Sequence, residues 1–355
     1  MQLLQKLTES YQEMKIRLNS GWDPERLVQN NQQYQEAVAK ILSMQEKKIS
    51  LWLAGGALLW VIQYKILKDL FDRGFRPCEY VGNSIWAMLA ILFITWNYDQ
   101  KYFDFMLLWW DKVNMSDNFH IVLWTMTPFL FDFEINWKII DIKTFIIENY
   151  AEYYAKIKQY QTKDLIINWK IDENIIKNII LDIYKTKYPD VELWNTKLKK
   201  LTFNDINTRY ETNLRILWTA IIPLNIIKRG KKVLSKITFR GWYSVLDAIV
   251  CSTKAFRWWA MNIKWRNFFV TDWFMSGNQY PHSDRQYSVD DDSFKVLIQT
   301  DTNYIWWHIV FENLWDNDMV ISPDITEWRF DVWYPFDPQN IAIFSALWDE
   351  FINKT

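Results

Sequence analysis

The apolar positions of this chain fall into three textures. Over the first fifty residues Leu4, Leu7, Tyr11, Met14 and Leu18 recur at alternating steps of three and four, the period of one helical face. After the break "NSGWDP" the spacing resumes with Tyr34, Val38, Ile41 and Met44. The pattern predicts amphipathic helices docked on a larger body, since two short runs lack the sustained heptads of a coiled coil.

The second texture is unbroken apolarity. "LWLAGGALLWVIQYKI" (51–66) has no polar side chain in its first twelve positions, with Lys47 and Lys48 before it and Lys65 and Lys68 at its far end. "VGNSIWAMLAILFITWNY" (81–98) carries no charge before its end and places Trp86 and Trp96 near its limits. Spanning a bilayer takes about twenty residues, a length that snorkelling lysines extend. Small residues suited to close helix approach sit in both: Ala54, Gly55, Gly56 and Ala57 in the first, Ser84, Ala87 and Ala90 in the second. The short link "KDLFDRGFRPCEY" predicts a transmembrane helical hairpin.

Beyond residue 98 the texture is mixed. "FHIVLWTMTPFLF" (119–131) is short and contains Pro128, so it reads as a core segment. Ile139, Ile142, Ile146, Tyr150, Tyr153 and Ile157 follow helical spacing, as do Ile176, Ile179, Ile180 and Ile183 within 173–185. A third helix is predicted over 204–222, ended by Pro223. After "KRGKK" (228–232) come "WYSVLDAIV", "NFFVTDWF", "FKVLIQT", "YIWWHIVFENLW" and "WRFDVWYPF", separated by breaks such as "SGNQYPHSD". Aromatic and β-branched enrichment between such breaks predicts strands. The expected fold is mixed α+β, in four parts. Amphipathic helices occupy 1–50, a transmembrane hairpin 51–98, a mostly helical region 99–230 and an aromatic-rich, β-containing region 231–355.

Composition changes this picture at two points. Net charge is −1, from 41 basic and 42 acidic residues, whereas a polyanion binder shows a basic excess. That weighs against a nucleic-acid stacking platform in "AFRWWAMNIKWRNFFVTDWF" (255–274), despite Trp258, Trp259 and Trp265 beside Arg257, Lys264 and Arg266. Aromatics buried in a β-containing region, or against a partner subunit, fit better. Trp is in excess at 23, while Gly is 8 and Pro 9. Abundant Ile, Asn, Lys, Tyr and Phe imply AT-rich coding, and AT-rich coding yields abundant Trp only where UGA is also read as Trp. The N-terminus "MQLLQKLTESYQEMKIRLNS" shows neither a presequence nor an early apolar core. A protein made inside an organelle needs neither.

Candidate chemistry is sparse. No GxGxxG, P-loop or GxSxG motif is present. His120, His282 and His308 are widely spaced, and Cys78 and Cys251 form no metal or disulfide pattern. Asp290 to Asp292 read as a solvated loop rather than a cation site. Lys228, Arg229, Lys231 and Lys232 are the candidate contact for anionic lipid. Neither apolar segment holds an internal carboxylate or Arg, so no proton path is expected in this chain.

Trp, Ile, Asn, Lys and Tyr abundance, the missing presequence and the tandem apolar segments together resemble ciliate mitochondrially encoded inner-membrane proteins of oxidative phosphorylation. That resemblance implies a structural, non-catalytic subunit of the ATP synthase membrane region, supporting dimer contacts or the peripheral stalk. The alternatives it leaves open are a supernumerary subunit of respiratory complex I, III or IV, and a mitochondrial ribosomal protein. It further implies no cofactor or metal, with a structural lipid such as cardiolipin at most. The implied partners are other subunits and membrane lipids, without nucleic acid. The implied location is the mitochondrial inner membrane, both termini on the matrix side.

Overall fold

The computed structural model describes residues 24–45, 48–53, 60–82, 85–103, 118–161, 164–167, 170–223, 235–253, 259–263, 266–271, 294–298, 308–315 and 318–324. The chain opens with α1 (Pro24–Ser43), β1 (Ile49–Leu53), α2 (Trp60–Asp72), β2 (Glu79–Gly82) and α3 (Ile85–Ile94). Next come α4 (Asn118–Leu130), β3 (Phe131–Ile135), β4 (Lys138–Ile140), α5 (Ile142–Glu148) and α6 (Tyr150–Lys158). They lead into β5 (Ile166–Ile167), β6 (Lys170–Ile171), α7 (Glu173–Lys187), β7 (Thr196–Lys200) and α8 (Phe203–Arg209). Then follow β8 (Asn213–Pro223), β9 (Ser235–Phe239), α9 (Val245–Ser252), β10 (Trp259–Ile263) and β11 (Arg266–Thr271). The last strands are β12 (Phe294–Ile298), β13 (His308–Trp315) and β14 (Asp318–Asp324). They divide into two compact units, one holding α1 to β2 with β12 to β14, the other holding α4 to β11, with the division inside α3 between Ala90 and Ile91.

The first unit is built on strands in the order β2-β1-β12-β14-β13. β2, β1, β12 and β14 run parallel, and β13 returns antiparallel at the edge. Every residue of β1 and β2 is buried, as expected of parallel strands covered on both faces. Their two polar side chains satisfy each other: Ser50 donates to Glu79 at 2.5 Å, and the Trp52 indole donates to Ser50 at 2.7 Å. In α1, Tyr34, Ala37, Val38 and Ile41 are buried, one face of a helix that contacts β13 and β14. Tyr34 also donates to Asp69 of α2 at 2.6 Å.

The second unit combines helices with antiparallel sheets. β3 lies between β4 and β7, alternating buried and half-buried residues. β9, β8, β11 and β10 pair antiparallel in that order. α4 is buried along Val122–Leu130 despite Pro128, which falls in its last turn. α7 turns Ile176, Ile179, Ile180 and Ile183 inward. α9 is buried at all its positions.

Several expectations are corrected here. No helix among the described residues is long and apolar enough to cross a membrane, so the transmembrane hairpin over 51–98 is replaced by β1, α2, β2 and α3 in turn. α3 has ten residues, about 15 Å of helix against the roughly 30 Å of a bilayer core. It is apolar because Ala87 to Thr95 are all buried, and a helix apolar all round is equally the mark of a buried one. It stops in a left-handed turn at Trp96 (φ 58°), where the Asn97 N–H returns to Leu92 O at 2.8 Å. The inner-membrane location with both termini on the matrix side rested on that hairpin and falls with it.

The helix expected over 204–222 ends at Arg209. Glu211 (φ 50°) turns the chain, and the Asn207 side chain accepts from Leu214 N at 2.7 Å as β8 begins. "WYSVLDAIV", expected as a strand, contains α9, capped by Ser244 accepting from Asp247 N. Ile139 lies in exposed β4, not on a helix. Residues 1–23, the run 228–232, Asp290 to Asp292, His282 and "WRFDVWYPF" lie outside the described residues.

Candidate active site

Parallel strands followed by helices gather their connecting loops at the carboxyl edge of the sheet, where open α/β sheets bind ligands. In the first unit that edge is defined by register. Leu53 is paired with Gly82 on one side and with Ile298 on the other, and Ile298 with Ile321. Adjacent strands lie about 4.8 Å apart, so the ends of β1, β2 and β12, at Leu53, Gly82 and Ile298, lie side by side. Gln63 of α2 is buried there and donates to Ile298 O at 3.2 Å, fixing the last residue of β12 against that helix.

Two of these exits are chemically distinctive. β2 ends at Gly82, α3 begins at Ile85, and the two residues between are Asn83 and Ser84. β1 ends at Leu53, α2 begins at Trp60, and the interval opens Ala54, Gly55, Gly56, Ala57. Ala54 to Ala57 and Ser84 themselves lie outside the described residues; the strand ends and helix starts that bracket them are described. A serine between a parallel strand and a helix occupies the sequence position of a nucleophile elbow. A glycine pair follows the neighbouring strand in the sequence, and backbone N–H groups are among the donors that hold an oxyanion. The sequence Gly82-Asn83-Ser84-Ile85-Trp86 departs from GxSxG at its last position. That departure is why motif matching missed it, and the strand-to-helix context was the signal that would have found it. Ala87 and Ala90, expected to pack membrane helices, are buried within α3.

Other nucleophiles are less suited. Burial pushes up the thiols of Cys78 and Cys251, the latter also through Asp247, which lowers the thiolate fraction each needs to react. His120 sits against the Tyr160 carbonyl at 2.7 Å. Lys200 and Asp247 form a buried ion pair at 3.2 Å in the second unit, Lys200 also donating to Ile171 O at 3.0 Å. No group of three His, Cys, Asp or Glu suited to a metal occurs among the described residues.

No protein-family model and no curated protein matches this chain. Solved structures do. VipD from Legionella pneumophila matches at TM-score 0.40 and 15% identity, over 87% of this chain and 66% of that one. The heterodimeric ExoU-SpcU complex from the type III secretion system of Pseudomonas aeruginosa matches at 0.37 and 12%, over 87% and 51%. A second structure of full-length ExoU with SpcU matches at 0.30 and 10%, over 86% and 53%. The chain thus spans 66% of the first and about half of the other two. Likeness at this level transfers no residue role, so the chemistry rests on this chain's own residues. With no helix among the described residues long and apolar enough to cross a membrane, the transmembrane part of the ATP synthase expectation is withdrawn. The expectation of a chain without a catalytic site is corrected on this chain's own element order, which sets Ser84 in the two-residue interval between β2 and α3 at the carboxyl edge of parallel strands.

Proposed function

We propose that the first unit is a serine acyl hydrolase with Ser84 as nucleophile. The observation that supports this reading is the parallel pairing of Leu53 with Gly82, which starts the glycine-pair interval and the Ser84 interval from adjacent points. In the reaction, Ser84 Oγ attacks an ester carbonyl and gives its proton to a base. Backbone N–H groups in the interval after β1 hold the tetrahedral oxyanion, the alcohol leaves with a proton, and water then releases the acid from the acyl-enzyme. Asp301 stands three residues beyond β12, in the same unit as Ser84. Asp301→Asn is the variant that tests it as the base.

A serine ahead of α3 could equally act only as a helix cap, a role worth about 1 kcal/mol of stability. The test separates the two. The full chain is incubated with a fluorophosphonate probe and assayed on p-nitrophenyl acyl esters and on phosphatidylcholine. Expected are covalent labelling at Ser84 and a fall of about 10³-fold or more in hydrolysis for Ser84→Ala. Absence of labelling, or hydrolysis unchanged in Ser84→Ala, overturns the reading.

A further inference from the structure

The second unit carries an apolar tip assembled from two separate segments. β3 and β4 are joined by Asn136 and Trp137, both at positive φ (51° and 69°). Such two-residue turns suit the twist of a hairpin and ordinarily use Asn-Gly. Asn136 clamps the second segment: its N–H donates to Asn195 O at 2.7 Å, and its Nδ2 donates to Glu192 O at 2.6 Å. Its Oδ1 accepts from the N–H groups of Trp194 and Asn195, both at 3.2 Å. The Trp137 and Trp194 rings are thereby brought to 6.2 Å, yet the residues stay 71% and 65% exposed. Ile139 is 82% exposed, and Tyr188 and Val191 from the two segments' surroundings are exposed as well.

A left-handed tryptophan by itself carries little in this chain, because Trp96 and Glu211 also take that conformation. The convergence carries the argument. Five large exposed apolar residues come from these two segments, and the hydrogen-bonded clamp joins the segments beside Trp137 and Trp194; such a patch marks an interaction surface. We infer that this tip docks on the surface of an anionic lipid bilayer.

The surrounding charges favour lipid over protein. Within 134–139 and 185–197 the exposed charged residues are Lys138, Lys185, Lys187, Lys197, Asp190 and Glu192, with Glu134 half-buried and no arginine. Protein interfaces enrich Arg and deplete Lys. At a bilayer the Trp and Tyr rings settle at headgroup level while lysine stems lie along apolar surface with their charge in water. Four lysines against three acids give a modest preference for anionic headgroups. The contact is superficial and spans nothing, and it does not rest on the hydrolase reading.

The test uses the full chain in flotation with phosphatidylcholine vesicles, with and without phosphatidylserine. Trp137→Gly places the residue ordinarily found at this turn position, so the hairpin is retained while the ring is removed. Expected is binding that strengthens with phosphatidylserine and weakens about tenfold or more in Trp137→Gly and in Trp194→Ala, the factor one large buried apolar group supplies. Ser84→Ala binds as the parent does. Parent binding unchanged in both tryptophan variants overturns the inference. So does failure to bind either vesicle, including the case where the tip instead mediates self-association seen by sedimentation.

Discussion

At the scale of single residues, backbone conformation decides more than side-chain contact. With 8 glycines in 355 residues, left-handed positions fall to whatever residue stands there, and Trp96, Asn136, Trp137 and Glu211 all take them. Gly74 is the contrast. It closes α2 at φ 98°, with Gly74 N bonded to Phe71 O and Phe75 N to Leu70 O at 2.9 Å, and an added Cβ would meet nothing within 4 Å. Gly74→Ala therefore isolates the backbone term. Its expected cost is about 1 kcal/mol, read as a lower urea midpoint at unchanged slope. A loss of several kcal/mol would place packing, not conformation, at this position.

At the scale of elements, the legible parts of the fold were those whose period matched their surroundings. α7 was readable because Ile176, Ile179, Ile180 and Ile183 face a core on one side only. β1 and α3 were not, since burial on every side erases periodicity and leaves a plain apolar run. Length and punctuation were the remaining signals there, and Gly55, Gly56 and Ser84, which fall between strand and helix in the sequence, were read as helix-packing residues instead. α9 carried its own start signal in Ser244-x-x-Asp247, which was overlooked because the run after it is apolar throughout. Asp247 also serves a second element. Its carboxylate accepts from Ile171 N at 3.4 Å and pairs with Lys200 at 3.2 Å, tying α9 to β6 and β7. Lys200 has Glu173 as a further partner at 3.5 Å. Asp247→Ala is expected to cost about 3 kcal/mol, since it removes the buried carboxylate that Lys200 and Ile171 N share, and Lys200→Met less. The double variant is expected to be more stable than the sum of the singles by about 1 kcal/mol or more. Strict additivity in urea unfolding would show that the pair does not couple these elements.

At the scale of the molecule, connectivity sets the two units apart. In the first, β1 lies between β2, which follows it closely, and β12, whose first residue is Phe294. The sheet that brackets the Ser84 position is thus completed only by the C-terminal part of the chain, a non-local pairing that closes late in folding. The second unit takes α4 to β11 from one continuous stretch, 113–277, and adds 91–106 with the last turn of α3. Truncation after Ser293 removes β12, β13 and β14 at once, exposing the edge of β1 and the buried face of α1. The expected outcome is loss of ester hydrolysis and of fluorophosphonate labelling, with vesicle flotation retained. The isolated stretch 91–277, expressed alone, is expected to unfold cooperatively and to bind anionic vesicles with the same sensitivity to Trp137→Gly. Hydrolysis surviving the truncation would move the nucleophile out of the first unit. Flotation lost from a cooperatively folded 91–277 would move the bilayer contact out of the second.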